Sequence, residues 1–338
     1  LSILWLMAGV ERVRHRSGNR LIWFVAVCST VLGFCSIISA GAAEAKKPLP
    51  CNGSPKLCGR SLDRVVLVGT HNSMSASQAG FGLPNQTFAI PDQLKRGARA
   101  FLLDTHYGRP APNVLNPNGV DSVEDPSAFA DTSTYLCHVL CQFGATKLTS
   151  GLRYFTNFLR RHPREVVVLI NEDYIAPDDF ATAVRASGLS RYVYTGGTSR
   201  WPTLGSMIRS GRRVVVFAQS DVGDISWYHL AYSGLMRETD WSFELPSELL
   251  DPESLSSSCA ARRGGDGGNL FLMNHWISRD VFPPIPSIED AALVNTHSAL
   301  VARARACRTV RGRLPNILAV DFLGTGDAIG AARELNGL

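Results

Sequence analysis

Four histidines carry the chemistry open to this sequence. His71 stands in the run VGTHNS, His106 in LLDTHYG, His138 in YLCHVLC and His275 in LFLMNHW. Carboxylates accompany them: Asp104 ends AFLLD, Glu172 follows VVVLIN, and Asp321 lies within ILAVDF. An unpaired carboxylate at the end of an apolar strand is costly to bury, so each acid requires a histidine, a guanidinium or a metal nearby. A neutral imidazole takes a hydroxyl proton and a protonated one supplies a proton to a leaving alkoxide, both near neutral pH. Two such groups on one cavity suit phosphoryl transfer, with metal or cationic stabilisation of the phosphorus oxygens adding to it. His71 and His138 are the expected pair. Gly69 would permit a tight strand exit before His71, and a disulfide between Cys137 and Cys141 would hold His138 rigidly. Asp321 is expected to orient a histidine. His106, His275 and Trp276 are expected to contact substrate.

Such residues converge only if the chain delivers them to one end of one sheet. Short apolar runs recur at 65–69, 100–104, 166–170, 214–218, 270–274 and 317–322, and read as buried parallel strands. A shorter candidate spans 135–139, and another strand is expected near 227–233. Helices are expected between them, at 147–161, 177–187, 204–210, 287–308 and 328–335. Eight strands alternating with helices predict an α/β fold, an irregular TIM (β/α)8 barrel whose chemistry comes from the C-terminal strand ends. A doubly wound sheet is the rival, but no GxGxxG follows the first strand. No linker or repeat divides the region, so 46–338 reads as one domain. The loop from Arg109 to Thr134, rich in Pro, Asn and Asp, is expected to cover a site.

With 338 residues, 45% hydrophobic and 19% charged, the chain has enough apolar material for a large core and is not disordered. Only one segment approaches spanning length, which excludes a multi-pass membrane protein. The net charge of +5, without a basic run interleaved with aromatics, gives no sign of a nucleic-acid partner. Arg12, Arg14, Arg16 and Arg20 precede the uncharged stretch 21–43, so residues 1–45 read as a secretory signal or an uncleaved membrane anchor. The expected location is secreted or extracytoplasmic. Cys28 and Cys35 fall in that leader, leaving six cysteines for an oxidising compartment. Of the 15 possible pairings, the local bridges Cys51–Cys58 and Cys137–Cys141 are preferred, leaving Cys259 for Cys307. A zinc site is the weaker alternative, since no CxxC pair occurs.

Taken in order, CNGSPKLC, VGTHNS, QLKRGARAFLLDTHYG, YLCH, VVLINEDY and PNILAVDF resemble the phosphatidylinositol-specific phospholipase C X-domain family, in particular its secreted or anchored bacterial, fungal and plant branch. The likeness runs from Cys51 to the C-terminus. It implies a phospholipase C-like phosphodiesterase on an irregular TIM barrel, acting on a phosphatidylinositol-like phospholipid at a membrane surface, as a monomer. By the same resemblance, His71 is the general base that frees the inositol 2-hydroxyl to attack phosphorus, giving a cyclic phosphate and diacylglycerol. His138 is the general acid, Asp321 orients the first histidine, and Asp104 matches the second-strand aspartate. Metal-independent members carry Asp and Arg where Asn72 and His106 stand here. Calcium-dependent members use four oxygen ligands. Asn72, Asp104 and Glu172 match three and Leu102 stands at the fourth, so the implied cofactor is a weakly held Ca²⁺. Ile170 replaces a basic residue that grips inositol in bacterial members. A phosphodiesterase of glycerophosphodiester or sphingomyelinase D type would need Glu-x-Asp where Leu102 and Asp104 stand, and a non-catalytic barrel would be expected to lack His71 or His138.

Overall fold

The computed structural model describes residues 49–112, 116, 119–279, 281–282 and 284–338; the leader at 1–45, with its anchor reading at 21–43, lies outside these residues. In chain order the elements are β1 (Leu67–Thr70), α1 (Ile90–Arg96), β2 (Ala100–Pro110), β3 (Val120–Ser122), β4 (Ser133–Leu136), β5 (Thr146–Lys147) and α2 (Leu148–Arg161). There follow β6 (Val167–Tyr174), α3 (Pro177–Ala186), α4 (Leu204–Ser210), β7 (Val214–Ala218), β8 (Tyr228–Leu230), β9 (Met236–Glu238) and α5 (Ser247–Leu250). The last are β10 (Leu270–His275), α6 (Ile288–Val294), α7 (His297–Arg311), β11 (Ile317–Val320) and α8 (Ala328–Leu335). Eight strands pair in parallel in the order β8-β7-β6-β2-β1-β11-β10-β9. This is the expected irregular TIM barrel, open between β8 and β9, where no ladder forms among the described residues.

Alternation along the strands sorts the side chains into two cores. Leu67, Ala100, Val168, Phe217, Leu272 and Ile317 belong to one, with Leu57, Trp201, Leu204 and Met207 joining it. Val68, Phe101, Leu169, Val216, Met273 and Leu318 belong to the other, packed with Leu152, Phe155, Phe180 and Leu300 from the helices. The first set faces the barrel interior and the second the helical layer. Each large aliphatic or aromatic side chain buried this way contributes roughly 1.5–3 kcal/mol. Helix α2 turns Leu148, Leu152, Phe155, Phe158 and Leu159 inward, as its spacing predicts.

The structure departs from the sequence reading at several places. The run at 135–139 is not a barrel strand. Its first part lies in β4, which pairs antiparallel with the long extension of β2 and with β5. The loop at 109–134 is largely this excursion: β3 also pairs with the β2 extension. Val120, Tyr135, Cys137 and Cys141 give it a small core of its own. The helix expected at 287–308 is two, α6 and α7, because Thr296 accepts from the Ala299 amide and caps a new start. Strand β9 has no counterpart in the sequence reading: it is three residues, Met-Arg-Glu, with no apolar run to mark it.

All three preferred disulfides, Cys51–Cys58, Cys137–Cys141 and Cys259–Cys307, are formed. Gly69 serves strand contact, not a tight exit. A Cβ there would stand 2.8 Å from Ile317 Cγ2 across the β1–β11 ladder. We therefore expect Gly69→Val to destabilise the fold by about 1–3 kcal/mol through overpacking. A urea unfolding midpoint equal to that of the parent would refute this close approach.

Candidate active site

Strand parity decides which side chains meet. Leu102 and Asp104 on β2, Ile170 and Glu172 on β6, and Asn274 with the following Trp276 on β10 share the inward face and line one cavity of about 440 Å³. His71 and Asp321, just past β1 and β11, join them, as does His138 from the loop after β4. The two imidazoles stand 6.3 Å apart between centroids, inclined at 70°.

Each imidazole is backed by a buried carboxylate. His71 Nδ1 lies 2.9 Å from Asp321 Oδ1, and His138 Nδ1 lies 2.9 Å from Asp104 Oδ2. Both carboxylates are only 5% exposed, so the imidazoles answer the cost of burying them. Asn72 links the pairs. With its amide oxygen turned toward the rings, it lies 3.1 Å from His71 Nε2 and 3.2 Å from His138 Nε2, and its nitrogen lies 3.2 Å from Asp104 Oδ1. Asn85, absent from the sequence reading, donates to both oxygens of Asp321 at 3.3 and 3.2 Å. Gln86 donates to the carbonyls of His71 and Val320, tying the ends of β1 and β11. Trp276 stacks on His71 at 3.7 Å, nearly parallel.

The backbone is held in uncommon conformations beside each of these groups. Asn72, Val139 and Phe322, which follow His71, His138 and Asp321, have φ of 42°, 52° and 47°. Asn tolerates this region, but a β-branched Val does so only where its surroundings over-determine it. The Cys137–Cys141 bridge and the β4 pairing enclose Val139 and supply that restraint.

Burial disfavours a charge on His138, but its bond to Asp104 and the fields of Asp104, Asp321 and Glu172 prevail and hold its pKa above 6.5. The folded chain therefore binds this proton more tightly than the unfolded one. The resulting stabilisation is full below about pH 6.5 and is lost as pH rises through the raised value. Burial, then the nearby Asp104, pushes Glu172 up, against a hydrogen bond from Tyr174.

Two expected contact residues lie elsewhere. His275 has the opposite parity to Asn274 and Trp276. It is fully buried in the helical layer, with Nε2 2.9 Å from the Val294 carbonyl and Nδ1 3.1 Å from the Arg303 guanidinium. Burial, then Arg303, pushes its pKa down to about 3, so it is a neutral structural group. His106 shares the parity of Asp104 but sits on the β2 extension, stacked on Tyr174 at 4.4 Å and outside the cavity lining. Burial pushes its pKa down, against the field of Asp104.

The calcium set implied by the resemblance does not fit. Asn72, Asp104 and Glu172 do line the same cavity, but protein donors engage them: His138 and Asn72 face Asp104, and Tyr174 donates to Glu172. No group of three His, Cys, Asp or Glu side chains among the described residues is placed to hold a metal ion. The cavity wall carries a guanidinium instead. Arg263, from the segment between β9 and β10, is bound in a fork by Glu238 and donates to Tyr232 at 3.2 Å. Its only sequence signal was the buried acid it pairs with, and that acid lies on the unmarked strand β9.

The fold is that of the phospholipase C-like phosphodiesterases. It resembles a double mutant of the phosphatidylinositol-specific phospholipase C from S. aureus with a TM-score of 0.51, at 15% identity, over 83% of this chain and 95% of that one. The PI-PLC X 1 family model matches residues 118–336, and the chain belongs to this family. It is 28% identical over 314 residues to PI-PLC X domain-containing protein 1 of Arthroderma benhamiae, covering 89% of this chain and 94% of that protein. An uncharacterized secreted protein of the same fungus is 26% identical over 308 residues, 85% of this chain and 63% of that protein. A PI-PLC X domain-containing protein of Arabidopsis thaliana is 27% identical over 309 residues, 82% of this chain and 62% of the plant protein.

If Asp104 holds the proton on His138, Asp104→Asn lowers the pKa of that imidazole. The shift is read from the ring resonances of His138 in an NMR pH titration. An unchanged titration would refute the coupling.

Proposed function

We propose that this chain is an exported phosphodiesterase of phospholipase C type, cleaving a phosphatidylinositol-like glycerophospholipid by general base and general acid catalysis. One observation carries the reading: two carboxylate-backed imidazoles whose Nε2 atoms approach a single amide, that of Asn72. A ring nitrogen held on a carboxylate through Nδ1 presents Nε2 for proton transfer, with its tautomer set by the bond behind it.

In this reading the headgroup hydroxyl adjacent to the phosphodiester takes the place of the Asn72 oxygen at His71 Nε2, which is unprotonated in the reacting state and takes its proton. The freed oxygen bonds to phosphorus while the bond from phosphorus to the glycerol oxygen breaks. His138, held protonated by Asp104, gives its proton to that oxygen, so diacylglycerol leaves and a cyclic phosphodiester remains. Asp321 at Nδ1 and the stacked Trp276 ring hold His71 in place for this transfer. Opening of the cyclic product by water uses the same pair with roles exchanged.

A lipid substrate is supported by the rim of the cavity. Pro284, Ile285 and Pro286 line its mouth, and Phe282 and Ile285 nearby are 78% and 56% exposed. Such a patch beside a pocket suits a membrane-borne ligand. The three disulfides and the secreted relative support export. A glycerophosphodiester-type reading gains nothing from the geometry, because Leu102 presents an apolar wall where that chemistry needs a second acid.

His71→Ala and His138→Ala are each expected to lower release of diacylglycerol and cyclic phosphate from phosphatidylinositol vesicles by about 10²–10⁴-fold. Circular dichroism melts should show both variants folded, and a chelator should leave the parent rate unchanged. Full activity in both variants would overturn the assignment.

A further inference from the structure

Charge is segregated along the strand direction in the part of the chain that runs from α2 to β7. Its acids gather at the cavity end: Glu172 and Asp173 lie at the end of β6, and Asp178 and Asp179 in the first turn of α3. The cations gather at the other end, where β6 and β7 begin. Arg160 and Arg161 lie in the last turn of α2, Arg185 in that of α3 and Arg209 in that of α4. Arg191 belongs to the single 3-10 turn Leu189–Tyr192, and Arg212 stands two residues before β7. From Phe180 to Ser220 the sequence contains no Asp or Glu. The one acid between Leu148 and Asn171, Glu165, is taken by Arg99 at 2.7 Å.

Contacts tie the centre of this face together. A Cβ on Gly188 would touch both Thr156 Cγ2 at 3.6 Å and Arg191 Nη2 at 3.7 Å. Arg191 therefore lies against the side of α2 that carries Arg160 one turn further on. Arg212 Nη1 donates to the Ser190, Arg191 and Val193 carbonyls at 3.4, 3.5 and 3.4 Å. Arg160, Arg161, Arg185, Arg191 and Arg209 are exposed and Arg212 is half-buried. None of the six joins an ion pair among the described residues. Helix C-termini attract cations, which accounts for Arg160, Arg185 and Arg209. It does not account for Arg191 and Arg212, or for so long a stretch without an acid.

An unneutralised basic face attracts anions. These guanidiniums sit on separate elements and do not converge on a cavity, so the ligand must carry anionic groups at several places along its length. Planar guanidiniums bind such oxyanions in bidentate fashion. A bilayer fits less well. Lipid-binding faces combine cations with inserted apolar side chains, whereas the exposed Ile285 lines the cavity mouth, with Phe282 nearby, at the other end of the strands. We infer that this face binds a linear acidic polysaccharide, holding the protein beside a cell surface with its catalytic cavity turned away from the polymer. The choice of a polymer over the substrate membrane rests on the phosphodiesterase reading, in which the mouth faces the lipid. The anion-binding face itself does not.

The test is a calorimetric titration of the full chain with a heparin oligosaccharide, with neutral dextran alongside. The oligosaccharide should bind at about 0.05 M NaCl and at least about tenfold more weakly at about 0.3 M, because salt screens exposed charges. Dextran should not bind. Arg160→Gln/Arg191→Gln should weaken binding at least about tenfold. Arg308→Gln/Arg333→Gln, which removes the same charge from α7 and α8, should stay within about twofold of the parent. Thermal melts check that the variants fold, and Arg161→Gln/Arg185→Gln replaces the first pair if it does not. Absence of binding by the parent at low salt would overturn the inference. So would equal losses in the two variants, which would leave net charge alone at work. Tighter binding to phosphatidylglycerol vesicles than to the oligosaccharide, through the same arginines, would make the face a bilayer contact instead. Arg160→Gln/Arg191→Gln should hydrolyse short-chain phosphatidylinositol at the parent rate. If the parent hydrolyses none, the phosphodiesterase reading fails, and the polysaccharide titration still decides the role of the face.

Discussion

Burying two carboxylates at the mouth of an apolar barrel is the constraint around which this molecule is arranged. Asp104, midway along β2, and Asp321, just past β11, follow inward residues that are Ala, Leu and Ile, and both are 5% exposed. Neither can remain unpaired there. Each is answered by an imidazole from a different element. Asp321 on β11 meets His71 from the neighbouring β1, and Asp104 on β2 meets His138 from the excursion after β4. Asn72 and Asn85 then bridge the two histidine–carboxylate pairs into one network. A fully satisfied polar network in a low-dielectric site is rigid, and rigidity at this place fixes both Nε2 atoms on one small volume.

The irregularities of the barrel serve the same end. A regular unit would follow β2 with a helix. Here β2 runs on past the barrel rim and pairs with β3 and β4, and the small sheet carries His138 back over the cavity. The Cys137–Cys141 bridge closes that return within five residues, around a valine at positive φ. On the opposite side the sheet stays open between β8 and β9. There the segment before β10 inserts Arg263 and satisfies the buried Glu238. The open seam and the long extension therefore hold the two groups furthest from the regular (β/α)8 pattern, and both line the cavity.

His275 and Arg303 show how a polar pair can serve packing alone. Arg303 is wholly buried and makes no ion pair with a carboxylate among the described residues. It donates to the Asn274 carbonyl and to Ser258, and meets the His275 ring, with the Phe243 face at 4.7 Å. These bonds join α7, β10 and the segment before Cys259. Burial lowers Arg303 to about 9, against the field of Asp240. Asn295 adds a further tie, donating to the Asp321 carbonyl at 2.7 Å across the break between α6 and α7. The break expected as continuous helix is thus a support for the site.

Local sequence determined the strands with apolar runs, the amphipathic face of α2, the two local cysteine pairs with Cys259–Cys307 left by elimination, and the histidines and acids worth watching, because these depend on residue type and short spacing. It also contained an unused signal: alternation places Asn274 and Trp276 on the face of Asp104 and turns His275 away. Other features depended on partners far along the chain. The pairing of Asp104 with His138 across the β4 excursion, the recruitment of Asn85 to Asp321, and the delivery of Arg263 to Glu238 on a three-residue strand join elements whose separation no local pattern encodes. Strand register and barrel curvature set which of these polar groups stand within hydrogen-bonding distance. Only the assembled sheet decides that.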